Sequence, residues 1–380
     1  MKPIVVLGSG LAGYTLVREL RKLDRDIPIT LVSRDSGDYY SKPTLSNAFA
    51  QKKEAASLVL TAANDMAKQQ KFTLFANTEV RAIHREARQL DTTAGMIEYE
   101  KLVLAIGADP IRIPLQGDAA DNVLSVNDLA DYAHLRDALD NAKTVAIMGG
   151  GLIGCEFAND LALAGFNVSV IDPGPYPVAG LLPEKAGIQL LEPLKNLGVT
   201  WHFGTAAQRV DASGAGYQLT LTNQSTVSAD IVLSAVGLRP RIQLAKDAGL
   251  AVNRGIAVDE QLQSSDAAIF ALGDCAEING QTLPYVLPIM HAARTLARVL
   301  TGETAKVHFP YMPVVIKTPA HPVAVLPVAR DTPGSWRVLE EGQGTKMGFF
   351  NPQDEMIGFA LTGEYAKERS EMTAHCVAKS

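Results

Sequence analysis

Several features that would assign this chain of 380 residues to other classes of protein are missing from its sequence. It has only three cysteines, Cys155, Cys275 and Cys376, and they stand far apart. They form neither a C-x-x-C pair nor a zinc-ligand spacing, so neither a disulfide framework nor a structural zinc site is expected. The seven histidines include no i, i+4 pair. We therefore assign no metal site to any of them.

Basic runs and long apolar runs are missing as well. The net charge is −6, and an acidic surface repels phosphate, so we expect no nucleic-acid partner. No stretch approaches the roughly 18 apolar residues that a membrane-spanning helix needs, so we expect no membrane insertion. The N-terminus leads straight into an apolar segment without a signal-peptide region. These absences predict a cytoplasmic protein.

What the sequence does contain is a glycine turn in a strand–helix–strand setting, at residues 145–172. A G-x-G-x-x-G pattern follows one apolar strand and opens a predicted helix, and a second apolar strand ends in Asp172. Glycines there let backbone N–H groups approach a pyrophosphate, and an acid at that position holds a ribose 2′-hydroxyl. A 2′-phosphate would meet a like charge, so we predict NAD(H). The predicted contacts are Gly149, Gly151, Leu152, Ile153, Gly154 and Asp172.

A second G-x-G-x-x-G stands near the N-terminus, between predicted strands at 4–7 and 29–32. Its second strand does not end in an acid, because Ser33 follows it and Asp35 comes two residues later. Either residue could therefore serve the adenosine ribose at this site. Two such units in one chain imply two dinucleotides, or one dinucleotide and one flavin dinucleotide.

The chain also repeats a longer pattern. Residues 102–110 and 229–240 each read as an apolar strand followed by glycine and then proline, so one architecture runs from 4 to 110 and again from 145 to 240. From about residue 311, short strands separated by Pro, Gly and Asp precede a predicted helix at 364–374. We predict an α/β fold with two Rossmann-like domains and a small C-terminal α+β domain.

The order of these motifs resembles that of the two-dinucleotide-domain flavoprotein reductases, the superfamily of glutathione reductase. A closer likeness, to the NADH:rubredoxin reductases, covers essentially the whole chain. The segments that carry this closer likeness are residues 40–46, 151–160, 233–240, 273–277 and 315–319. The resemblance implies FAD as cofactor, NADH as hydride donor and rubredoxin as a transient electron-transfer partner, for an alkane hydroxylase or an oxygen-defence chain.

The resemblance also implies how the chain is divided. A discontinuous FAD-binding domain would comprise residues 1–112 and 240–310, with an NAD-binding domain at 113–239 inserted into it. The C-terminal domain would comprise residues 311–380.

Individual cofactor contacts follow from the resemblance. The first glycine turn resembles the loop that holds the FAD pyrophosphate, and Asp274 resembles an aspartate that bonds a ribityl hydroxyl of the flavin. Val80 resembles a residue whose backbone meets adenine, and the helix beginning near Val286 would point its N-terminus at the flavin ring. The remaining implied contacts are Gly8, Ser9, Gly10, Ala12, Gly13, Ser33, Asp35, Pro43, Ala105, Gly107, Gly237 and Gly273.

Three residues are predicted to act in catalysis as well as in cofactor binding. The resemblance places Lys42 beside the flavin ring, Glu156 near the nicotinamide and Lys317 near the flavin. A cation near the flavin would stabilise negative charge on the reduced ring. Two of them also have an ordinary interpretation: a surface lysine for Lys42, and a solvated helix residue for Glu156.

The missing cysteines narrow the chemistry within this superfamily. Its disulfide reductases need a C-x₄-C after the first glycine turn, and its NADH oxidases and peroxidases need a single cysteine there. Residues 36–60 contain none, so electrons would leave directly from the flavin. Cys155 and Cys275 are predicted to be small buried spacers. Two alternatives stay open, namely an NADH-dependent ferredoxin reductase of an oxygenase system and a flavoprotein that binds partners under NADH control.

Overall fold

The computed structural model of the protein describes residues 2–376, which form nine α-helices, 26 β-strands and four short 3₁₀ turns. The helices are α1 (Leu11–Leu23), α2 (Ala63–Gln70), α3 (Leu129–Leu139), α4 (Leu152–Leu163), α5 (Glu184–Ile188), α6 (Leu191–Lys195), α7 (Gln243–Asp247), α8 (Val286–Leu300) and α9 (Arg369–His375).

The strands follow in chain order. They are β1 (Ile4–Leu7), β2 (Ile29–Val32), β3 (Tyr39–Tyr40), β4 (Val59–Thr61), β5 (Thr73–Phe75), β6 (Val80–His84), β7 (Gln89–Thr92), β8 (Gly95–Glu98), β9 (Lys101–Leu104), β10 (Ala108–Pro110), β11 (Thr144–Met148), β12 (Asn167–Asp172), β13 (Val199–Phe203), β14 (Ala207–Ser213), β15 (Gly216–Leu221), β16 (Thr226–Ala229), β17 (Ile231–Ser234), β18 (Leu238–Pro240), β19 (Ile256–Val258), β20 (Ile269–Ala271), β21 (Ala276–Ile278), β22 (Val314–Ile316), β23 (Val323–Leu326), β24 (Ser335–Glu341), β25 (Thr345–Phe350) and β26 (Met356–Thr362).

The first of two structural units comprises the chain up to Lys42 and residues 56–109 and 238–309. Its centre is a parallel five-stranded sheet in the order β20-β9-β1-β2-β5. All four residues of β1 and of β2 are buried, as expected for a parallel sheet covered on both faces. A separate antiparallel sheet, β6-β7-β8, is inserted in the chain between β5 and β9 of the parallel sheet.

The second unit comprises residues 43–55, 110–237 and the chain from Pro310 onward. It contains a parallel sheet in the order β13-β12-β11-β17 and an antiparallel sheet, β14-β15-β16. Each unit thus has a parallel βαβ sheet with a three-stranded antiparallel sheet inserted before a later parallel strand, β9 in the first unit and β17 in the second. The predicted duplication of one α/β plan is confirmed.

The C-terminal part of the second unit has a sheet of its own. Five strands pair antiparallel in the order β22-β23-β26-β25-β24, and α9 packs on this sheet. Its core includes Phe359, Leu361 and Met372, each buried. This is the small α+β domain that the sequence predicts. The predicted boundary at residue 311 stays a prediction, and residues 377–380 lie outside the described part of the chain.

One predicted helix is wrong in detail. The apolar pattern at 181–197 predicts one helix, whereas the structure has two short ones, α5 and α6, separated by Gln189 and Leu190. Proline lacks the N–H that a continuous helix would need at Pro193, and its ring clashes with the carbonyl four residues earlier. Restarting the helix at Leu191 puts Pro193 in a first turn, where no such N–H is needed.

Candidate active site

The first glycine turn, between β1 and α1, has no room for side chains at two positions. Gly8 has φ +116°, and a Cβ placed on it would lie 2.3 Å from the carbonyl oxygen of Ala105. A Cβ on Gly13 would lie 2.0 Å from the carbonyl oxygen of Gly8. A Cβ on Gly10 would meet no atom of the chain within 4 Å, so the open side of the turn faces away from the protein. This cradle fits a pyrophosphate bound by backbone N–H groups.

Both candidates for the ribose contact meet at this turn. The Ser33 hydroxyl donates to Asp35 Oδ1 at 2.6 Å, and Ser33 Oγ and Ser9 Oγ lie 2.6 Å apart. The Gly37 N–H also donates to Asp35 Oδ1, at 2.9 Å. The sequence leaves Ser33 and Asp35 as alternatives, whereas the structure joins them into one polar cluster with Ser9 of the glycine turn.

Asp274 comes three residues after the end of β20 in the first unit. After Asp35, it is the second acid of this unit that we predict to bind the cofactor. Gly273 before it has φ +80°, and a Cβ at Gly273 would approach the Ala12 side chain to 2.8 Å. Burial raises the pKa of the Asp274 carboxyl, and the Lys42 ammonium opposes this shift. A mostly buried carboxyl near a cation fits an acceptor for a sugar hydroxyl of the cofactor.

The other predicted contacts in the first unit occupy element ends and turns. Gly107 has φ +70° and open space where a Cβ would stand, and Ala105 before it is buried. Val80 is the half-buried first residue of β6. Val286 is the 38% exposed first residue of α8.

The second glycine turn, between β11 and α4, repeats the geometry of the first. Gly149 has φ +102°, and a Cβ on it would lie 2.6 Å from the carbonyl oxygen of Ala235. A Cβ on Gly154 would lie 1.9 Å from the carbonyl oxygen of Gly149. Gly151, like Gly10, has open space on its outer side. Gly237, with φ +111°, follows the strand β17 beside β11.

Asp172 ends β12 next to this turn. Its Oδ2 accepts the Gly150 N–H at 2.5 Å and its Oδ1 accepts the Gly174 N–H at 2.6 Å. Each carboxylate oxygen has two lone pairs, so both keep acceptor capacity for a hydroxyl. The carboxylate therefore both braces the turn and fits the predicted ribose contact.

Glu156 lies in the middle of α4 and is completely buried, so the interpretation of a solvated helix residue is wrong. Its Oε2 accepts from the Lys317 ammonium at 2.6 Å and from the Ser46 hydroxyl at 2.5 Å. Its Oε1 accepts the backbone N–H of Lys317 at 2.8 Å. The Lys317 ammonium also donates to the Pro43 carbonyl at 2.5 Å. The structure thus joins two of the three predicted catalytic residues in one ion pair.

Two further buried polar residues on α4 were not predicted from the sequence to act in the site. Asn159 Oδ1 accepts the Ala320 N–H at 3.1 Å. Asp160 Oδ2 accepts the Phe49 N–H at 2.8 Å, and its Oδ1 accepts the Ala50 N–H at 3.1 Å. Burial raises the pKa of Asp160 even though these two N–H groups oppose the shift. The sequence does contain a signal for them. Three polar residues, at i, i+3 and i+4, interrupt an otherwise apolar helix and lie on one face of it.

The three residues, Glu156, Asn159 and Asp160, together hold two other segments of the second unit. One is residues 43–55, which we call the strap, and the other is the chain around Lys317 and Ala320. The strap is also anchored by Tyr132, whose hydroxyl donates to the Lys53 carbonyl at 2.8 Å. The helix that carries the second glycine turn is therefore an organising element as well as a nucleotide-binding one.

The cysteines are spacers, as predicted. Cys155 and Cys275 are fully buried, and their thiols donate to the carbonyls of Gly150 and Leu104, each at 3.3 Å. Burial raises the pKa of Cys155, and it raises the pKa of Cys275 to about 11. Neither thiol is a thiolate at neutral pH. Among residues 2–376, no cluster of His, Cys, Asp and Glu is arranged to hold a metal ion.

Comparisons with known proteins agree with this geometry. Residues 2–297 match the family described as pyridine nucleotide-disulphide oxidoreductase, and residues 306–376 match a rubredoxin binding C-terminal domain. The chain is 46% identical to rubredoxin-NAD(+) reductase from Alcanivorax borkumensis, over 98% of each protein. It is 44% identical to the protein of that name from Acinetobacter baylyi, over 98% of this chain and 97% of that one.

A solved structure shows the same fold. It is the ferredoxin reductase for the CYP199A2 system from Rhodopseudomonas palustris, with a TM-score of 0.89 and 24% identity over 100% of this chain and 96% of that one.

Proposed function

We propose that this chain, which belongs to the pyridine nucleotide-disulphide oxidoreductase family, is an NADH-dependent, FAD-containing rubredoxin reductase. It takes a hydride from NADH and passes single electrons to rubredoxin. The observation that carries this conclusion is the presence of both family matches in one chain, the oxidoreductase over 2–297 and the rubredoxin binding domain over 306–376. Two proteins named rubredoxin-NAD(+) reductase are similar to it over nearly its whole length.

Bound FAD supplies the conversion between the two-electron chemistry of NADH and the one-electron chemistry of an iron centre. In the first unit, the turn Gly8–Gly13 would bind the pyrophosphate, and Ser33 with Asp35 would bind the adenosine ribose. Asp274 would accept a hydroxyl of the ribityl chain. Two observations support these roles. The glycine turn has no room for side chains at Gly8 and Gly13, and two carboxylates are available, Asp35 beside the turn and Asp274 after β20.

In the second unit, the turn Gly149–Gly154 would bind the pyrophosphate of NADH and Asp172 would bind its adenosine ribose. The carboxylate already braces the turn through Gly150 and Gly174, so its charge is fixed in position beside the site. A 2′-phosphate would be placed against this charge. NADH is therefore the preferred donor.

The catalytic roles that we propose rest on charge. The charge of Lys42 in the first unit opposes the raised pKa of Asp274, and this cation would stabilise negative charge on the reduced ring. In the second unit, Lys317 neutralises the buried carboxylate of Glu156. Without the Lys317 ammonium, whose side chain is 36% exposed, the buried carboxylate would have no counter-charge. The pair would thus fix the end of α4 that receives the nicotinamide.

Electrons would leave without passing through a thiol. The strap and its neighbours, residues 36–60, contain no cysteine. Cys155 and Cys275 are buried and protonated, so neither offers a nucleophilic thiolate.

The cellular setting is part of the same proposal. No helix within residues 2–376 has the length and apolar character needed to cross a bilayer. We propose a cytoplasmic location, supported by three cysteines that are all free thiols. The pathway served would be an alkane hydroxylase or an oxygen-defence chain, since both need a source of single electrons at low potential.

The function is tested by mixing the purified protein with NADH and one iron acceptor under anaerobic conditions. Bleaching of rubredoxin should be fast, and bleaching of a [2Fe–2S] ferredoxin should be much slower. Fast turnover with ferredoxin and none with rubredoxin would show that the acceptor has been misidentified.

A variant at Lys42 tests the proposed division of labour in the first unit. Lys42→Ala should slow flavin reduction by NADH by about tenfold, because a cation near the ring is lost. The flavin content of the purified variant, read from its visible absorbance, should stay at the wild-type level. Loss of FAD on purification would instead make Lys42 a binding residue.

A further inference from the structure

We propose that Val178 is a positioning residue for NADH, because its strained backbone holds the second glycine turn in the form that binds the pyrophosphate. The N–H of Val178 donates to the carbonyl oxygen of Gly150, inside that turn, at 2.8 Å. We call this hydrogen bond the Val178 clamp. The inference rests on the proposed function, and it adds a residue that lies outside both glycine motifs.

The backbone of Val178 is unusual for its residue type. Its φ is +56°, and among residues 2–376 no other β-branched residue has a positive φ. Such strain persists only where the surrounding contacts hold it, and it is concentrated at functional sites. The Val178 side chain is 2% exposed, and its carbonyl accepts the N–H groups of Leu181 at 2.9 Å and Leu182 at 3.0 Å. Burial and these hydrogen bonds therefore hold residue 178 in its strained form.

The clamp fixes the orientation of one peptide group in the turn. The Gly150 carbonyl accepts a second donor, the buried thiol of Cys155, at 3.3 Å. Both lone pairs of this oxygen thus have donors from the protein. The peptide between Gly150 and Gly151 is trans, so the Gly151 N–H points away from the clamped carbonyl. Gly151 borders the open side of the turn, and the clamp therefore directs a backbone donor toward the pyrophosphate.

The first glycine turn keeps its shape by other contacts. Ser9 is the counterpart of Gly150 there, and no N–H group within residues 2–376 donates to the Ser9 carbonyl. The Ser9 hydroxyl is instead hydrogen-bonded to the side chains of Ser33 and Asp35. A glycine at position 150 offers no such side chain. The second turn therefore depends on contacts to its backbone, of which the clamp is one.

Two replacements separate the strained backbone from the buried side chain. Val178→Ala keeps a Cβ in the left-handed region but loses much of the burial that offsets the strain. Val178→Gly loses the whole side chain, yet glycine adopts a positive φ without strain. If the clamp matters, the glycine variant should therefore bind the nucleotide better than the alanine variant. If packing alone matters, the order should be the reverse, because glycine leaves the larger cavity.

The test uses the full-length, FAD-loaded protein and measures binding of ADP-ribose by isothermal titration calorimetry. ADP-ribose contains the pyrophosphate and the adenosine of NADH but no nicotinamide. Val178→Pro is the third variant, because proline has no N–H to donate. Gln224→Gly is the matched control, since Gln224 is an exposed residue of the same unit with φ +69°. That change relieves the same kind of strain away from the turn.

Val178→Ala should weaken ADP-ribose binding by about fivefold, and Val178→Gly should bind within about twofold of wild type. Val178→Pro should weaken binding by about tenfold or more. KM for NADH should follow the same order, while kcat changes by less than about twofold. The flavin content of every variant and the affinity of Gln224→Gly should match wild type. Should Val178→Pro not fold, the order of the alanine and glycine variants still decides.

Three results would overturn the inference. One is wild-type affinity for ADP-ribose in Val178→Ala or in a folded Val178→Pro. A second is an affinity that falls from valine to alanine to glycine, which is the order that lost packing predicts. A third is wild type that does not bind ADP-ribose, which would also remove NADH from the proposed function and is thereby distinguished from the first two.

Discussion

The two glycine turns use nearly the same backbone, yet the helices that follow them have different tasks. Each residue of the second turn lies 141 positions after its counterpart in the first (149 − 8), and the steric limits at Gly13 and Gly154 are almost identical. On the same offset, Glu156, Asn159 and Asp160 correspond to Thr15, Arg18 and Glu19.

Of the corresponding residues of α1, Thr15 is buried, whereas Arg18 and Glu19 are only partly buried. Arg18 donates to the Tyr39 hydroxyl at 3.2 Å, and Glu19 pairs with Lys22. In α4 the three positions are buried and hold the strap and the chain around Lys317. A duplicated nucleotide-binding unit can therefore keep its turn unchanged while its helix gains a second, organising role.

The largest expected effect comes from filling either turn. Gly13→Ala would place a Cβ 2.0 Å from a backbone carbonyl oxygen, and Gly154→Ala would place one at 1.9 Å. Both distances are far shorter than van der Waals contact, and such overpacking destabilises a protein by roughly 1–3 kcal/mol or more. Gly13→Ala should lose FAD on purification. Gly154→Ala should stay yellow but lose about two orders of magnitude in kcat/KM for NADH. Visible spectra and steady-state kinetics separate the two turns.

Gly180→Ala is the control for both variants, because its Cβ would meet no atom within 4 Å and the backbone at Gly180 does not have a positive φ. Equal loss of FAD in Gly13→Ala and Gly154→Ala would contradict the assignment of one cofactor to each turn.

The organising role of α4 is tested next. Asp160→Ala removes a buried carboxylate and leaves the partly buried N–H groups of Phe49 and Ala50 without this acceptor. We expect a lower free energy of unfolding by about 2–4 kcal/mol in urea titrations. The counterpart Glu19→Ala removes ion pairs to two exposed cations, Lys22 and Arg294, and should cost under about 1 kcal/mol. Equal losses would mean that the two helices do not differ as described.

Cofactor preference should change by a smaller factor. Asp172→Asn removes the charge that opposes a 2′-phosphate, so the ratio of kcat/KM for NADPH to that for NADH should rise by about tenfold. Asp35→Asn, at the polar cluster of the first unit, should leave this ratio unchanged and weaken FAD binding instead. If this ratio changed in Asp35→Asn and not in Asp172→Asn, the assignment of FAD to the first site and NADH to the second would be reversed.

The smallest expected effect is on the pH dependence of stability. Burial raises the folded-state pKa of Asp160 above its ordinary value of 3.8, so the folded protein binds this proton more tightly than the unfolded chain does. Its contribution to stability is therefore lost as the pH rises through the folded-state pKa. Asp160→Asn does not titrate, so its stability relative to wild type should increase between about pH 4 and about pH 7. Urea titrations across this range measure the difference, and a flat difference would contradict the raised pKa.

Much of the architecture could be predicted because its signals are local. The strands Ile4–Leu7 and Ile29–Val32 and the helix ending at Leu23 match the apolar pattern residue for residue. The antiparallel sheets β6-β7-β8 and β14-β15-β16 were only partly foreseen, because short, half-exposed strands have weak periodicity. The prediction of a single helix over 181–197 was wrong for a local reason as well, because Pro193 does not fit the interior of a continuous helix.

The sequence by itself determined the two glycine turns, the acid at Asp172, the absence of a cysteine between residues 36 and 60 and, from the acid, NAD(H) as one cofactor, whereas FAD followed from the resemblance. Each of these depends on residues adjacent in the chain or on a missing residue type. Only the tertiary structure decided the partners of Glu156 and Asp160, because Lys317 lies 161 residues from Glu156 and Ala50 lies 110 residues from Asp160. Helical periodicity shows that these carboxylates share one face of α4. Which distant groups meet that face depends on how the whole unit packs, and burial there is what makes the contacts strong.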